Sequence, residues 1–159
     1  MHVPLLPIKR SKAIIEKLLE YRKSVITKAV TKGLNQSVTL KDSGSAWIGK
    51  IPNHWKAIAL KRIASIQTGN TPSKKDGNDN FSDSFGIPWI KAEDLESFEP
   101  IHKTSEYLTS NGIELGRLFA PNSVFVCCIA SIGKVGYSDI PCSCNQQINA
   151  IYFDERIIT

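Results

Sequence analysis

Apolar side chains near the start of the chain recur with a helical period. Ile14, Ile15, Leu18, Leu19, Tyr21, Val25, Ile26, Ala29 and Val30 fall at i, i+3, i+4 and i+7 spacings across residues 11–31, which predicts an amphipathic helix with a wide apolar stripe. Lys28 and Lys32 sit in its last turn, where cations complement the helix macrodipole, and Gly33 is placed to cap its C-terminus. A stripe this wide has to be covered. Two coverings fit the pattern: a partner helix, or the chain's own body if the helix folds back. Residues 35–50 read as a polar linker, long enough to hold the helix away from the body.

Beyond Trp47 the pattern changes to short apolar runs separated by Gly, Pro, Asn and Ser. Residues 87–90, 123–132, 135–137 and 148–153 read as strands, because Val124, Phe125, Val126, Ile129, Ile151 and Tyr152 favour a half-buried pleated surface. Residues 57–66 fit a strand or a short helix. Residues 68–86 read as one long loop, and residues 92–111 have room for short helical turns. The expected fold is α+β: a coiled-coil-type helix over 1–34, the linker over 35–50, and a mixed α/β body over 51–159 built on a twisted, largely antiparallel sheet.

At 159 residues and 42% hydrophobic content, the chain has enough apolar material for one ordinary domain and a helical appendage. No run of residues is apolar and long enough for a membrane helix, and the start lacks the apolar core of a signal peptide, so a soluble cytoplasmic protein is expected. The four cysteines form an adjacent pair, Cys127 and Cys128, and a close pair, Cys142 and Cys144. In a chain read as cytoplasmic these are reduced thiols. Neither pair has zinc-ligand spacing, and adjacent cysteines on a strand face opposite ways.

The formal charge of +5 is unevenly placed. Residues 9–32 carry eight Lys/Arg against Glu16 and Glu20, a net of +6, which leaves the remainder near −1. Nucleic-acid contact by the body would therefore depend on local clusters and shape rather than on its overall charge. The helix's basic face is either part of an interface or simply solvated.

Catalytic patterns are missing. There is no phosphate-binding G-x-x-x-x-G-K-[ST] loop, and Ser131-Ile132-Gly133-Lys134 lacks its first glycine and places Val135 where the hydroxyl belongs. No glycine-rich strand-to-helix turn or amino-methyltransferase motif appears. His2, His54 and His102 lie apart from one another and from the cysteines, and Glu93, Asp94 and Glu96 read as a solvated turn or helix start. A hydrolase using Cys127 or Cys128 would need a nearby histidine, and the spacing supplies none.

Several strings taken in order resemble one family. EYRKSVITKAVTKGL, KDSGSAWIGKIPNHW, the turn at Gln67-Thr68-Gly69-Asn70-Thr71-Pro72-Ser73, GIPWIKAEDL, ASIGKVGYS and CNQQINAIYF are similar to blocks of the specificity subunits of type I restriction-modification systems. The resemblance runs over nearly the whole chain. It implies that residues 51–159 are a target recognition domain for double-stranded DNA. The helix would then be one strand of an antiparallel coiled coil, a spacer and docking surface for methyltransferase and restriction subunits. Catalysis and S-adenosylmethionine would belong to those separate subunits, so no cofactor is expected here. Full members carry two recognition domains and two long helices, so the chain reads as a fragment.

Within that frame the candidate DNA-binding residues are Gln67, Thr68, Gly69, Asn70, Thr71, Ser73, Lys74, Lys75, Lys91, Ser131, Lys134 and Gln147. Hydroxyls, lysines and the backbone amides beside Gly69, expected to be free, suit phosphates; Gln67, Gln146 and Gln147 suit adenine edges. Asn145 and Gln146 equally fit a turn-holding role. Trp47, Trp55 and Trp89 read as packing residues. The helix seam would be Ile15, Leu18, Leu19, Val25, Ile26 and Ala29, and two copies pairing there would imitate the two-domain layout. The competing function is a protein-interaction module that uses the basic helix and has no specific DNA binding.

Overall fold

The N-terminal apolar repeat forms one helix, α1, Leu5–Lys32, in the computed structural model, which describes residues 5–73, 79–96 and 99–153. The helix begins before the predicted start, and Pro7 is tolerated in its first turn because a missing N–H breaks no bond there. It ends as expected: Gly33 takes a φ of +76° and donates its N–H to the Ala29 carbonyl at 3.0 Å. Among the described residues, no helix is long and apolar enough to cross a membrane.

The chain divides into two units, Met1–Ile58 and Ala59–Thr159. In the first, the segment read as a linker contains a two-stranded antiparallel ribbon, β1 (Leu40–Asp42) with β2 (Lys50–Pro52), in which Lys41 faces Ile51. Hydrogen bonds tie down its connecting loop. The Asp42 carboxylate accepts from the Gly44 amide at 2.7 Å, and the Ser45 carbonyl accepts from the amides of Ile48 and Gly49. Trp47, expected to pack, stands on this loop 89% exposed, while Trp55 is half-buried.

The second unit holds two four-stranded sheets. The first has the order β3 (Ala64–Thr68), β10 (Ile148–Phe153), β7 (Ser123–Cys127), β8 (Val135–Ser138), with every neighbour antiparallel. The second has the order β4 (Phe81–Ser82), β6 (Tyr107–Leu108), β5 (Ile87–Ile90), β9 (Ser143–Cys144). Only its β5–β9 pair is parallel, joining Trp89 to Ser143 and Ile90 to Cys144. The architecture is α+β and largely antiparallel, as the patterning implies.

Local readings are refined at three places. Residues 57–66 contain both a 3-10 turn, Leu60–Arg62, and the start of β3. The loop at 68–86 is interrupted by β4, and residues 92–111 hold a 3-10 turn, Asp94–Glu96, together with β6. A second helix, α2 (Ser110–Leu115), follows, with the Thr109 hydroxyl accepting from the Gly112 amide at its N-terminus.

Alternation along β7 builds the core. Ser123, Phe125 and Cys127 point inward, and Phe125 meets Phe119 edge-on with ring centroids 5.9 Å apart. Ile90, Leu95, Ile101, Cys142, Cys144, Ile148 and Ala150 complete the cluster. Trp89 is buried as expected and meets Phe81 edge-on.

Candidate nucleic-acid interface

Strand register decides which loops share an end of the first sheet. Thr68 at the end of β3 faces Asn149 near the start of β10, Cys127 at the end of β7 faces Ile148, and Val126 faces Val135 at the start of β8. Three connections therefore emerge side by side: the segment after Thr68, the Asn145–Gln147 turn before β10, and the hairpin loop 128–134. These carry most of the residues singled out from the sequence, although the segments lie as much as 80 positions apart along the chain.

Hydrogen bonds join the three connections. The Gly69 amide donates to the Ile148 carbonyl and the Asn70 amide to the Cys144 carbonyl, both at 3.0 Å. The amides beside Gly69 are thus consumed by the fold and are not free to bind phosphate, contrary to expectation, because β3 pairs on past its last residue. The Thr68 hydroxyl donates to the Asn149 side-chain oxygen at 2.9 Å, and the Thr71 hydroxyl donates to that of Gln146. The Cys128 amide donates to the Gln147 carbonyl at 2.9 Å.

The predicted residues divide by environment. Gln67, Thr68, Thr71 and Ser73 are exposed; Gly69 is buried; Asn70, Ser131, Lys134 and Gln147 are half-buried. Lys74 and Lys75 lie outside the described residues. Asn145 serves the turn: its side-chain oxygen accepts from the Gln147 amide at 3.0 Å, and its own amide donates to the Ile90 carbonyl. Gln146 braces Thr71 through its side chain. Lys91 follows β5 and is gripped by Glu93 at 2.9 Å and Glu106 at 3.2 Å. The Glu93 carboxylate beside it holds its ammonium above the usual lysine range.

Two features of this end were not read from the sequence. The hairpin loop exposes Ile129 by 55% and Ile132 by 78% next to Ser131 and Lys134, an apolar tip of the kind that contacts thymine methyl groups. Arg117, just past α2, donates from its guanidinium to the Thr68 carbonyl. Nothing in the local sequence of Arg117 signals this placement.

The thiols behave as strand geometry requires. All four are free; Cys127, Cys142 and Cys144 are buried and Cys128 is exposed. Burial pushes the Cys142 thiol up to about 11 and the Cys144 thiol up to about 12, so neither supplies thiolate near neutral pH. Native protein treated briefly with N-ethylmaleimide should gain one adduct, at Cys128, and four after denaturation, as read by intact-mass spectrometry. Among the described residues, no group of His, Cys, Asp and Glu is placed to hold a metal ion.

Comparison with solved proteins places the fold. The HsdS subunit from Thermoanaerobacter tengcongensis superposes over 93% of this chain and 36% of its own length, with a TM-score of 0.52 and 16% identity. A chain solved in work on complex assembly and conformational transition of the type I R-M system gives a TM-score of 0.55 at 14% identity, with the same coverage. The fold is that of about a third of a specificity subunit's chain. The chain belongs to the type I restriction modification DNA specificity domain family, matched over residues 52–158. It is 32% identical over 108 residues to the type I restriction enzyme HindI specificity subunit of Haemophilus influenzae. It is 25% identical over 99 residues to the EcoprrI specificity subunit of Escherichia coli. These matches cover 67% and 62% of this chain but only 23% and 24% of those relatives.

Proposed function

We propose that this chain reads a short sequence in double-stranded DNA as part of the specificity subunit of a type I restriction-modification complex. It is a recognition component without catalytic residues, and separate methyltransferase and restriction subunits carry out the chemistry. The observation that carries this reading is the convergence at one sheet end of three loops rich in hydroxyl, amide and cationic side chains, in a domain of this family. Such an end offers groups for base edges and phosphates together.

In this reading Gln67 and Gln147 address base edges. Ser73, Ser131 and Lys134 face the sugar-phosphate backbone, with Lys74 and Lys75 joining them, while Thr68 and Thr71, whose hydroxyls donate to Asn149 and Gln146, brace the loops that carry them. Gly69, Asn70 and Lys91 support that surface from behind, since their polar groups are committed within the fold. Residues 51–159 form the recognition domain and residues 1–34 the spacer helix. The helix seam, Ile15, Leu18, Leu19, Val25, Ile26 and Ala29, receives a helix of the assembled complex or of a second copy. With its four free thiols the chain suits the reducing cytoplasm.

The test is selection of a random duplex pool by the full chain, alone and with a methyltransferase subunit, followed by sequencing of the retained DNA. A short enriched motif, lost in the Lys74→Ala/Lys75→Ala variant, is expected. Retention without a motif, or no retention, would overturn the reading and leave the helix as the functional surface.

A further inference from the structure

One side chain at the reading end is set by contacts that no local sequence pattern encodes. Arg117 leaves the end of α2 after Gly116, and its backbone is clipped by Asn70. The Asn70 side-chain oxygen accepts from the Arg117 amide at 2.8 Å, while the Asn70 side-chain nitrogen donates to the Leu115 carbonyl at 2.7 Å. Asn70 is itself anchored, since its amide donates to the Cys144 carbonyl at 3.0 Å. Both ends of its side-chain amide are therefore spent on holding residues 115–117 against the turn after β3, which leaves it poorly equipped to read a base.

The clip delivers a guanidinium to the same sheet end as the three loops. Arg117 is exposed, and one of its N–H groups donates to the Thr68 carbonyl. A guanidinium has five N–H donors in a planar fork and stays charged at any physiological pH. The bond to Thr68 fixes its direction and leaves most of the fork unspent. Among the described residues no carboxylate pairs with it, in contrast to Lys91, which two glutamates hold. A directed guanidinium without a carboxylate partner among the described residues, held at the turn after β3, suits phosphate oxygens or the O6/N7 edge of guanine, both of which accept a forked donor.

We propose that Arg117 is a DNA-contacting residue and Asn70 its positioning residue, an inference that rests on the DNA-reading function above. The test uses the full chain and the duplex that wild type enriches. Affinity is measured over a range of salt concentrations for Arg117→Ala, Arg117→Lys, Asn70→Ala and the Asn70→Ala/Arg117→Ala pair, with thermal midpoints recorded without DNA. Arg117→Ala should weaken binding at least about tenfold and flatten the dependence of log K on log salt by about one unit if the contact is to phosphate. Arg117→Lys should then recover most of the salt dependence. If the contact is to guanine, Arg117→Lys should stay weak, and the loss should be confined to duplexes with guanine at one position.

Asn70→Ala should weaken binding in the wild-type background and add little in the Arg117→Ala background, because the two act as a unit. Binding by Arg117→Ala within twofold of wild type, at all salts, would overturn the contact. Additive losses in the double variant would overturn the positioning role. Failure of wild type to enrich any duplex is a different outcome: it removes the DNA-reading function and this assignment with it.

Discussion

Gly69→Ala is expected to lower the thermal unfolding midpoint on the order of 15 °C. A Cβ at this position would stand 2.2 Å from the Cys144 carbonyl oxygen, 2.5 Å from that of Asn145 and 2.5 Å from the Cys144 sulfur. Two of those three neighbours are backbone, so no rotamer change relieves the clash. The turn before β10 would have to move away from β3, releasing the Gly69 and Asn70 amides from their partners. Overpacking of this severity costs about 3 kcal/mol, and each kcal/mol shifts the midpoint of a domain near 100 residues by about 4 to 8 °C. Calorimetry or circular dichroism melting reads the effect. A midpoint within about 2 °C of wild type would mean that the β9–β10 turn does not lie against Gly69, and the geometry described for this end of the sheet would fall with it.

The pair Leu18→Glu and Ile26→Glu should abolish helix-mediated association without loosening the fold. The two side chains lie on one face of α1 and are 60% and 47% exposed, so replacing them removes almost nothing from the chain's own packing. Against a partner helix each would bury fully, worth about 1.5–3 kcal/mol apiece. Losing both, and adding two carboxylates to an apolar seam, weakens association by more than about a hundredfold. Sedimentation of the chain across a concentration series, alone and with a methyltransferase subunit, measures this. Equal association by wild type and variant would move the contact off the seam. A fall in thermal midpoint in the variant would mean that the stripe packs within the chain.

What was legible in the sequence follows from how far each signal reaches along the chain. The helix was visible because its apolar period persists over many residues, and Gly33 marks its end through a local backbone requirement. Strands β7, β8 and β10 were visible because β-branched and aromatic residues cluster in them. Strands β4, β6 and β9 are two residues long, too short to carry any periodicity, and they exist only through pairing with distant segments. The parallel β5–β9 pair is of the same kind. Trp47 reads as a core residue from its apolar neighbours, yet the ribbon turns it outward.

The candidate site shows the same division. The Gln67–Ser73 turn and the Ser131–Lys134 turn stand out by residue type, but composition does not reveal that their amides and side chains are partly committed. Asn70 reads from the sequence as one more DNA-binding candidate in its turn; the partners of its side chain are 45 and 47 positions away. Arg117 carries no local mark at all, since its placement depends on Thr68, 49 positions earlier. Lys91 resembles a phosphate contact until Glu106, from the segment leading into β6, closes on it.

As a sequence reader, the chain is expected to distinguish one DNA sequence from another. The direct measurement is the affinity of the full chain, with its methyltransferase subunit, for the selected duplex and for a scrambled duplex of equal length and composition across a salt series. A DNA reader holds its preference while both affinities fall with salt, and a specific site is favoured by about a thousandfold or more. Two curves that coincide at every salt concentration would mean that only phosphate is felt, and would contradict the assignment of a reading surface to this end of the sheet.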